Sequence, residues 1–368
     1  MRSRRTFLAA CMVLLFSAPL GAVQAAGPLK EKTIPLIVPT EKYAIFIQSA
    51  KNSMDSRHIA VVARKGKKFF VVQDGRVHKE YDQIGKDTPI FSPDSTRLVY
   101  KAFKGARWMV VVDGVEGKAY ENMSTPFFSY DSKHLVYVAQ KGTRQVVVLD
   151  GKELGEYDGI PHRGNPIFSP DSQRLAFFAF KGKQMVMYAD GKEGKVYDKI
   201  SFPSFSPDSK HLVYPASMKD RWFMVYDGNE LAAYDRIGTF SFSPDSSRLA
   251  YSAKRKDATF MVIDGKEEPS FTDVASPFFS PDSKTIAYLA VDGGKNLLVV
   301  NGVKGEAYDA IKELIYSPDS KAYAFTAKKG KSWFVVMNGK PGARYDDIFF
   351  PMYSPDSRRL AYMAQKGK

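Results

Sequence analysis

An all-β fold built from repeated four-stranded antiparallel units follows from three observations. Ser-x-Asp-Ser occurs nine times, starting at Ser53, Ser92, Ser129, Ser169, Ser206, Ser243, Ser280, Ser317 and Ser354. The copies stand 37 residues apart, save for one step of 39 and one of 40. Asp-Gly or Asn-Gly recurs once per unit, at Asp74, Asp113, Asp150, Asp190, Asp227, Asp264, Asn301 and Asn338. Between these turns lie short apolar runs, with no amphipathic helical stretch. A period of this length with several strands per unit marks a radial or stacked repeat architecture.

The unit around residues 89–122 justifies each element in order. Pro89-Ile90-Phe91 is a short strand (a) that runs into Ser92-Pro93-Asp94-Ser95. Proline at the second turn position presets φ for a type I turn, and the flanking Ser and Asp bond the turn's own amides. Arg97 to Phe103 reads as strand b, Lys104-Gly105-Ala106-Arg107 as a turn, and Trp108 to Val112 as strand c. Asp113-Gly114 is a strong two-residue hairpin signal. A more polar strand d ends at Ala119-Tyr120-Glu121.

Four-stranded sheets repeated radially are the blades of a β-propeller, in which packing blade on blade protects the sheet edges. The spacing predicts eight complete blades over residues 43–368, and an eight-bladed ring. The ninth unit has strands a and b only, so a nine-bladed ring is the alternative. That ring borrows strands from Thr33-Ile34-Pro35-Leu36-Ile37-Val38 or Tyr43 to Ile47, which makes residues 26–42 an extension with a possible ring-closing strand.

The aromatic-Ser-Pro-Asp-Ser turn, the Leu-Ala-Tyr-type strand after it and the Asp-Gly hairpin together resemble the WD-like propeller repeats of the TolB type. The resemblance covers residues 43–368 and implies a periplasmic propeller. It departs from that family at one point in every unit, since the family's turn ends in Gly and this one ends in Ser. The α/β domain that precedes the TolB propeller has no counterpart in the roughly 17 residues before the first repeat, which sets aside a Tol–Pal role. Prolyl-oligopeptidase-like enzymes carry similar propellers, but the repeats fill residues 43–368 and a hydrolase domain of that kind is not expected within them.

Residues 1–25 read as a cleaved signal peptide. Arginines at 2, 4 and 5 precede an apolar run, and Val23-Gln24-Ala25 presents small residues to a signal peptidase. Ser3-Arg4-Arg5-Thr6-Phe7-Leu8 suits either a twin-arginine or an ordinary Sec signal. Cys11, the only cysteine, leaves with this segment, so neither a disulfide nor a thiolate site is expected. Without the three arginines the formal charge of +14 falls to +11. The mature chain is expected to be exported, monomeric and without a transmembrane segment.

A residue type present in every blade is a poor catalyst, because a catalytic carboxylate is needed once or twice. The motif Asp residues and the recurrent Tyr-Asp pairs (Tyr81-Asp82 to Tyr345-Asp346) therefore read as turn and blade-edge groups. His58, His134 and His211 alternate with Arg97, Arg174, Arg248 and Arg359 at one place in strand b, which predicts a solvent-facing position paired with the turn Asp. Trp108, Trp222 and Trp333 begin strand c and are expected between blades. No catalytic elbow, phosphate loop or paired-histidine metal site is present, so no catalytic residue, metal or cofactor is assigned.

The turns between strands b and c are the distinctive feature. They carry Lys65, Lys67, Lys68, Lys104, Arg107, Lys141, Arg144, Lys181, Lys183, Lys219, Arg221, Lys254, Arg255, Lys256, Lys328, Lys329 and Lys331. In a propeller these turns share one face, giving a basic rim and an electrically polarised molecule. His162 and Arg163, in an insertion spanning 161–165, extend the candidate binding face. The expected function is a non-enzymatic scaffold of the cell envelope whose basic face meets an acidic protein, lipid headgroups or an acidic glycan. The alternative is a lyase or hydrolase of an acidic saccharide, working in the central channel or at the insertion. Nucleic acid is not expected, because the basic turns lack interleaved aromatics.

Overall fold

A computed structural model describes residues 43–161 and 164–367. The signal peptide, the 26–42 extension, His162 and Arg163 lie outside the described residues. The described chain forms β-strands and turns in the arrangement of a β-propeller: eight antiparallel meanders, five of four strands and three (the second, third and fifth) of five because strand a is broken in two, each stacked face to face on the next. Sheet 1 contains Ala44–Asn52, Ile59–Lys65, Lys68–Gln73 and Arg76–Val77 as strands a to d. Tyr43 to Ile47 is thus the start of strand a in the first blade, paired with Arg64–Val62, and is not free to close a ring. Asp347–Tyr353 and Leu360–Gln365 form a separate two-stranded ninth sheet packed on the eighth.

The turns follow from backbone chemistry. Asp113 (φ 51°) and Gly114 (φ 83°) both occupy the left-handed region, as a type I′ hairpin requires, and the other Asp-Gly and Asn-Gly pairs repeat this. Asp and Asn tolerate that region because their short side chains bond the local backbone. Seven of the eight also reach across the sheet to strand b: Asp113 Oδ1 accepts the Leu98 amide at 2.8 Å, and Asn301 Oδ1 accepts the Ile286 amide at 2.9 Å.

The core is a series of layers between blades. Strand b alternates, so in sheet 2 Leu98, Tyr100 and Ala102 face the previous blade while Val99 faces the next. The tyrosine at the end of strand d fills the junction in six of the units. Tyr81, Tyr120, Tyr157, Tyr197, Tyr234 and Tyr308 are buried, each set edge-to-face on an aromatic of the following blade. The tryptophans lie in the inter-blade layers as expected.

The motif serines explain the Gly-to-Ser departure. The first serine donates to the motif Asp, as from Ser206 Oγ to Asp208 Oδ1 at 2.6 Å, and accepts the strand-b amide of His211 at 2.9 Å. The fourth residue is left-handed, with φ of 67° at Ser95 and Ser209, where Gly costs least. Serine accepts that strain because its buried Oγ crosses to the preceding blade. Ser209 Oγ accepts the Asp171 amide at 2.9 Å, and the same link joins every pair of neighbouring sheets from Asp55–Ser95 to Asp319–Ser357. We expect Ser209→Ala to lose about 1–3 kcal/mol, the cost of an orphaned buried donor. Ser209→Gly should lose less, since glycine removes the left-handed strain. Urea unfolding of the two variants checks the order, and an alanine variant as stable as the parent would refute the link.

Candidate functional site

The basic turns are hairpins held from two sides, and the acid that ends strand d is the clamp. Asp82 takes Lys68 Nζ of its own blade at 2.5 Å and the Gly105 amide of the next blade at 3.3 Å. Glu121 pairs with Arg107 at 3.8 Å and accepts the Gly142 amide. Asp158 takes Arg144 at 3.0 Å and the Gly182 amide at 2.6 Å. Asp235 serves Arg221 and the Lys256 amide, and Asp309 serves Lys295 and the Gly330 amide. The cation opening strand c and the acid closing strand d are 14 residues apart in these units, an arithmetic visible in the sequence but silent about the neighbouring blade's amide. These bonds hold the Asp82 and Asp309 carboxyls below their ordinary range, led by Lys68 and Lys295 respectively.

This pairing corrects the picture of an uncompensated basic ring. Lys104 approaches Glu116, Lys141 holds Glu153 and Glu156, Lys181 binds Glu193 at 2.6 Å, Arg255 binds Glu267 at 2.7 Å and Lys329 binds Glu306 at 2.6 Å. Strand d supplies the opposing charge because its exposed outer edge tolerates glutamate. Among the described residues, Lys67, Lys183, Lys219, Lys254, Lys256, Lys328 and Lys331 have no ion pair and form the part of the rim with charge to spare. Lys65 lies over the Tyr43 ring at 5.7 Å.

The opposite face is also neutralised, though not as expected. The strand-b cations pair with the hairpin Asp, not with the motif Asp. His58, His134 and His211 meet Asp74, Asp150 and Asp227 at 2.7 Å, and Arg174 and Arg248 meet Asp190 and Asp264 at 2.8 and 2.9 Å. The motif Asp is already occupied by its serine and by turn amides, which leaves the hairpin carboxylate as the nearest acceptor. The sequence carried a signal for this. In the two units whose hairpin has Asn301 or Asn338 in place of Asp, the strand-b position is Thr285 or Ala322. The arginines also cover the aromatic that precedes the next motif, as Arg174 does Phe205 at 5.0 Å.

His78 is half-buried, 3.3 Å from Tyr100 Oη, and burial pushes its pKa down, which suits a packed neutral ring. Between the outer hairpins of sheets 7 and 8 a groove of about 260 Å³ is lined by Leu298, Val303, Tyr308, Tyr323 and Phe325, with Lys304 and Glu306 beside them already engaged by Asp292 and by Lys329 and Tyr308. No group of three or more His, Asp or Glu among the described residues could hold a metal ion. No described helix is long and apolar enough to cross a membrane.

No protein-family model matches the chain, and no curated protein aligns with it. Solved structures do resemble it in outline. A eukaryotic initiation factor is 14% identical over 83% of this chain and 89% of its own, with a TM-score of 0.43. TolB from Acinetobacter baumannii is 15% identical over 69% and 77%, with a TM-score of 0.31. The β-propeller domain of the trilobed protease from Pyrococcus furiosus is 14% identical over 72% and 95%, with a TM-score of 0.32.

Proposed function

We propose that this chain is an exported, non-enzymatic β-propeller scaffold of the cell envelope, periplasmic in location, whose b–c rim contacts an acidic partner or anionic surface. The observation that carries the reading is the set of lysines at 67, 183, 219, 254, 256, 328 and 331. Lys67, Lys183, Lys219, Lys256 and Lys331 sit in the turns, Lys254 and Lys328 lie near the ends of strand b that lead into them, with Lys328 over the Trp333 ring, and none is consumed by an ion pair. Rigid turns present such charges at low ordering cost, and charges concentrated on one face attract polyanions over roughly a Debye length, about 10 Å at 0.1 M salt. The ion-paired members, such as Lys68, Arg144 and Arg221, hold the strand-d acid of their own blade in place and belong to the structure of the rim more than to its binding.

The test is retention on an anionic polymer and on vesicles containing an acidic phospholipid. The parent protein should bind at low salt and elute at modest added salt. Changing the seven unpaired lysines to serine should abolish retention while leaving the unfolding midpoint within about 0.5 kcal/mol per site, as for ordinary surface positions. Undiminished retention of the substituted protein would overturn the reading.

A further inference from the structure

The junction of sheets 6 and 7 departs from the repeat at three places at once. Sheet 6 has Arg236–Phe242, Leu249–Arg255, Ala258–Ile263 and Lys266–Glu267 as strands a to d, and sheet 7 begins with Asp273–Phe279. Thr259 stands at the second position of strand c, which Trp108, Trp222 and Trp333 fill in sheets 2, 5 and 8. Thr272 stands where Asp82, Asp158, Asp235 and Asp309 close strand d and clamp the rim. Arg236 on strand a lies directly opposite Lys254 on strand b. The same rung holds Gln83–Phe103, Asn122–Gln140, Lys199–Ser217 and Asp273–Val291 in other sheets.

Like charges directly opposite on neighbouring strands repel and lower stability. The acids nearest along the chain do not relieve this pair. Asp235 is spent on Arg221 and the Lys256 amide, and Glu267 on Arg255. Arg236 and Lys254 therefore have no ion pair among the described residues.

With threonine in the place of tryptophan, a cavity of about 400 Å³ is left beside these cations. Gly238 keeps it open, because a Cβ there would lie 2.4 Å from Ser252 Oγ. The lining is rich in hydroxyls. Ser252 and Thr259 are buried, at 6% and 8% exposure, and Thr272 is exposed. Ser252 Oγ accepts the Thr239 amide at 3.1 Å and keeps its proton to donate. Thr259 Oγ1 donates to the Thr272 carbonyl at 3.4 Å and keeps its lone pairs to accept. Sheet 7 contributes Asp273, whose Oδ1 takes the Val274 amide at 2.9 Å and whose Oδ2 is left as an acceptor.

Such a cavity suits a ligand with an anionic group for the cations and neutral donors for the acid. Sulfate satisfies Arg236 and Lys254 but brings no donor for Asp273, and the space is of small-molecule size, roughly 300–1,000 Å³. An α-amino acid carries its ammonium on the carbon next to its carboxylate, which presses that charge against the two cations. A sugar acid has neither fault. Its carboxylate matches the guanidinium fork, and its uncharged hydroxyls exchange hydrogen bonds with serine, threonine and aspartate.

We propose that the junction of sheets 6 and 7 is a binding site for a sugar acid of hexuronate size, with its carboxylate on Arg236 and Lys254 and its hydroxyls on Ser252, Thr259 and Asp273. Lys254 also belongs to the rim, but Arg236, Thr259 and Asp273 do not, so variants at those positions test this site with the rim intact.

The probe is glucuronate, titrated calorimetrically into the protein at low salt, with glucose, sulfate and alanine as comparators. Glucuronate should bind, and glucose should bind weaker by about tenfold or more, the loss of a charge-assisted contact. Arg236→Gln should weaken glucuronate by a similar factor and raise the urea midpoint of the unliganded protein, since it removes the like-charge repulsion. Thr259→Trp, which restores the side chain of sheets 2, 5 and 8, should abolish binding with the circular dichroism spectrum unchanged. Serine at 67, 183 and 331 should leave the affinity as it was. No binding of glucuronate, or binding that neither Arg236→Gln nor Thr259→Trp moves, would overturn the proposal. So would sulfate or alanine binding as tightly as glucuronate, or loss of binding in the rim-lysine variant, which would assign the effect to diffuse charge.

Discussion

Replacing Tyr120 with alanine should lower the stability of the protein by about 3–5 kcal/mol, the range for removing a large buried aromatic. Tyr120 is 2% exposed at the junction of sheets 2 and 3, edge-to-face with Tyr137 at a centroid distance of 6.3 Å. Its hydroxyl donates to Glu153 Oε1 of the next blade at 3.0 Å. Tyr120→Phe separates the two contributions. It keeps the ring and loses a bond to a charged acceptor, for which about 1.5 kcal/mol is expected. Because each blade touches only its neighbours, breaking one junction should also broaden the transition, as in other repeat architectures. Urea unfolding followed by circular dichroism measures both effects. An alanine variant within 1 kcal/mol of the parent, a bound set well under the buried-aromatic range, would show that the tyrosine layer does not hold the blades.

Acid should unfold the protein through its motif turns. Hydrogen bonds from the neighbouring serine, then from a turn amide, hold the Asp94, Asp208 and Asp245 carboxyls down to about 2. An unfolded Asp titrates near 3.9, roughly two units higher. The folded value lies below the unfolded one, so the stabilisation is fully present above about pH 4 and is lost as pH falls toward 2. The other six motif aspartates are shifted in the same direction, so nine turns weaken over one window. Below its ordinary range His78 adds a loss of the same sign at higher pH, because burial favours its neutral form. Urea midpoints at pH 7, 4 and 2.5 should fall mainly across the last interval. A variant with Asn at 94, 208 and 245 should start lower and fall less over that interval. If parent and variant fall in parallel, the turns are not the acid-labile element.

Much of the architecture was legible in the residues because it depends on local chemistry. Ser-Pro-Asp-Ser turns, Asp-Gly hairpins and period-two apolar runs act within a few positions, and in the unit at 89–122 they placed strands b and c within a residue of their bounds. The candidate rim was legible as a list of cations and not as a charge. Its acids, such as Asp158 beside Arg144 and Glu193 beside Lys181, belong to strand d, and only pairing of the strands brings them alongside. The strand-b cations were assigned to the wrong carboxylate for the same reason. The motif Asp is closer along the chain, but its lone pairs are spent on serine and the turn.

The chain by itself determined the repeat, the four-strand unit and the turn types, since each is settled by dihedral preference and side-chain hydrogen bonds over short range. Tertiary structure alone decided how units join. The fourth serine reaches an amide 38 residues away, as Ser209 does at Asp171, and the strand-d acid binds the next blade's turn. These are contacts between repeats, and a periodic sequence prints the same residues whether or not a neighbour is there to meet them.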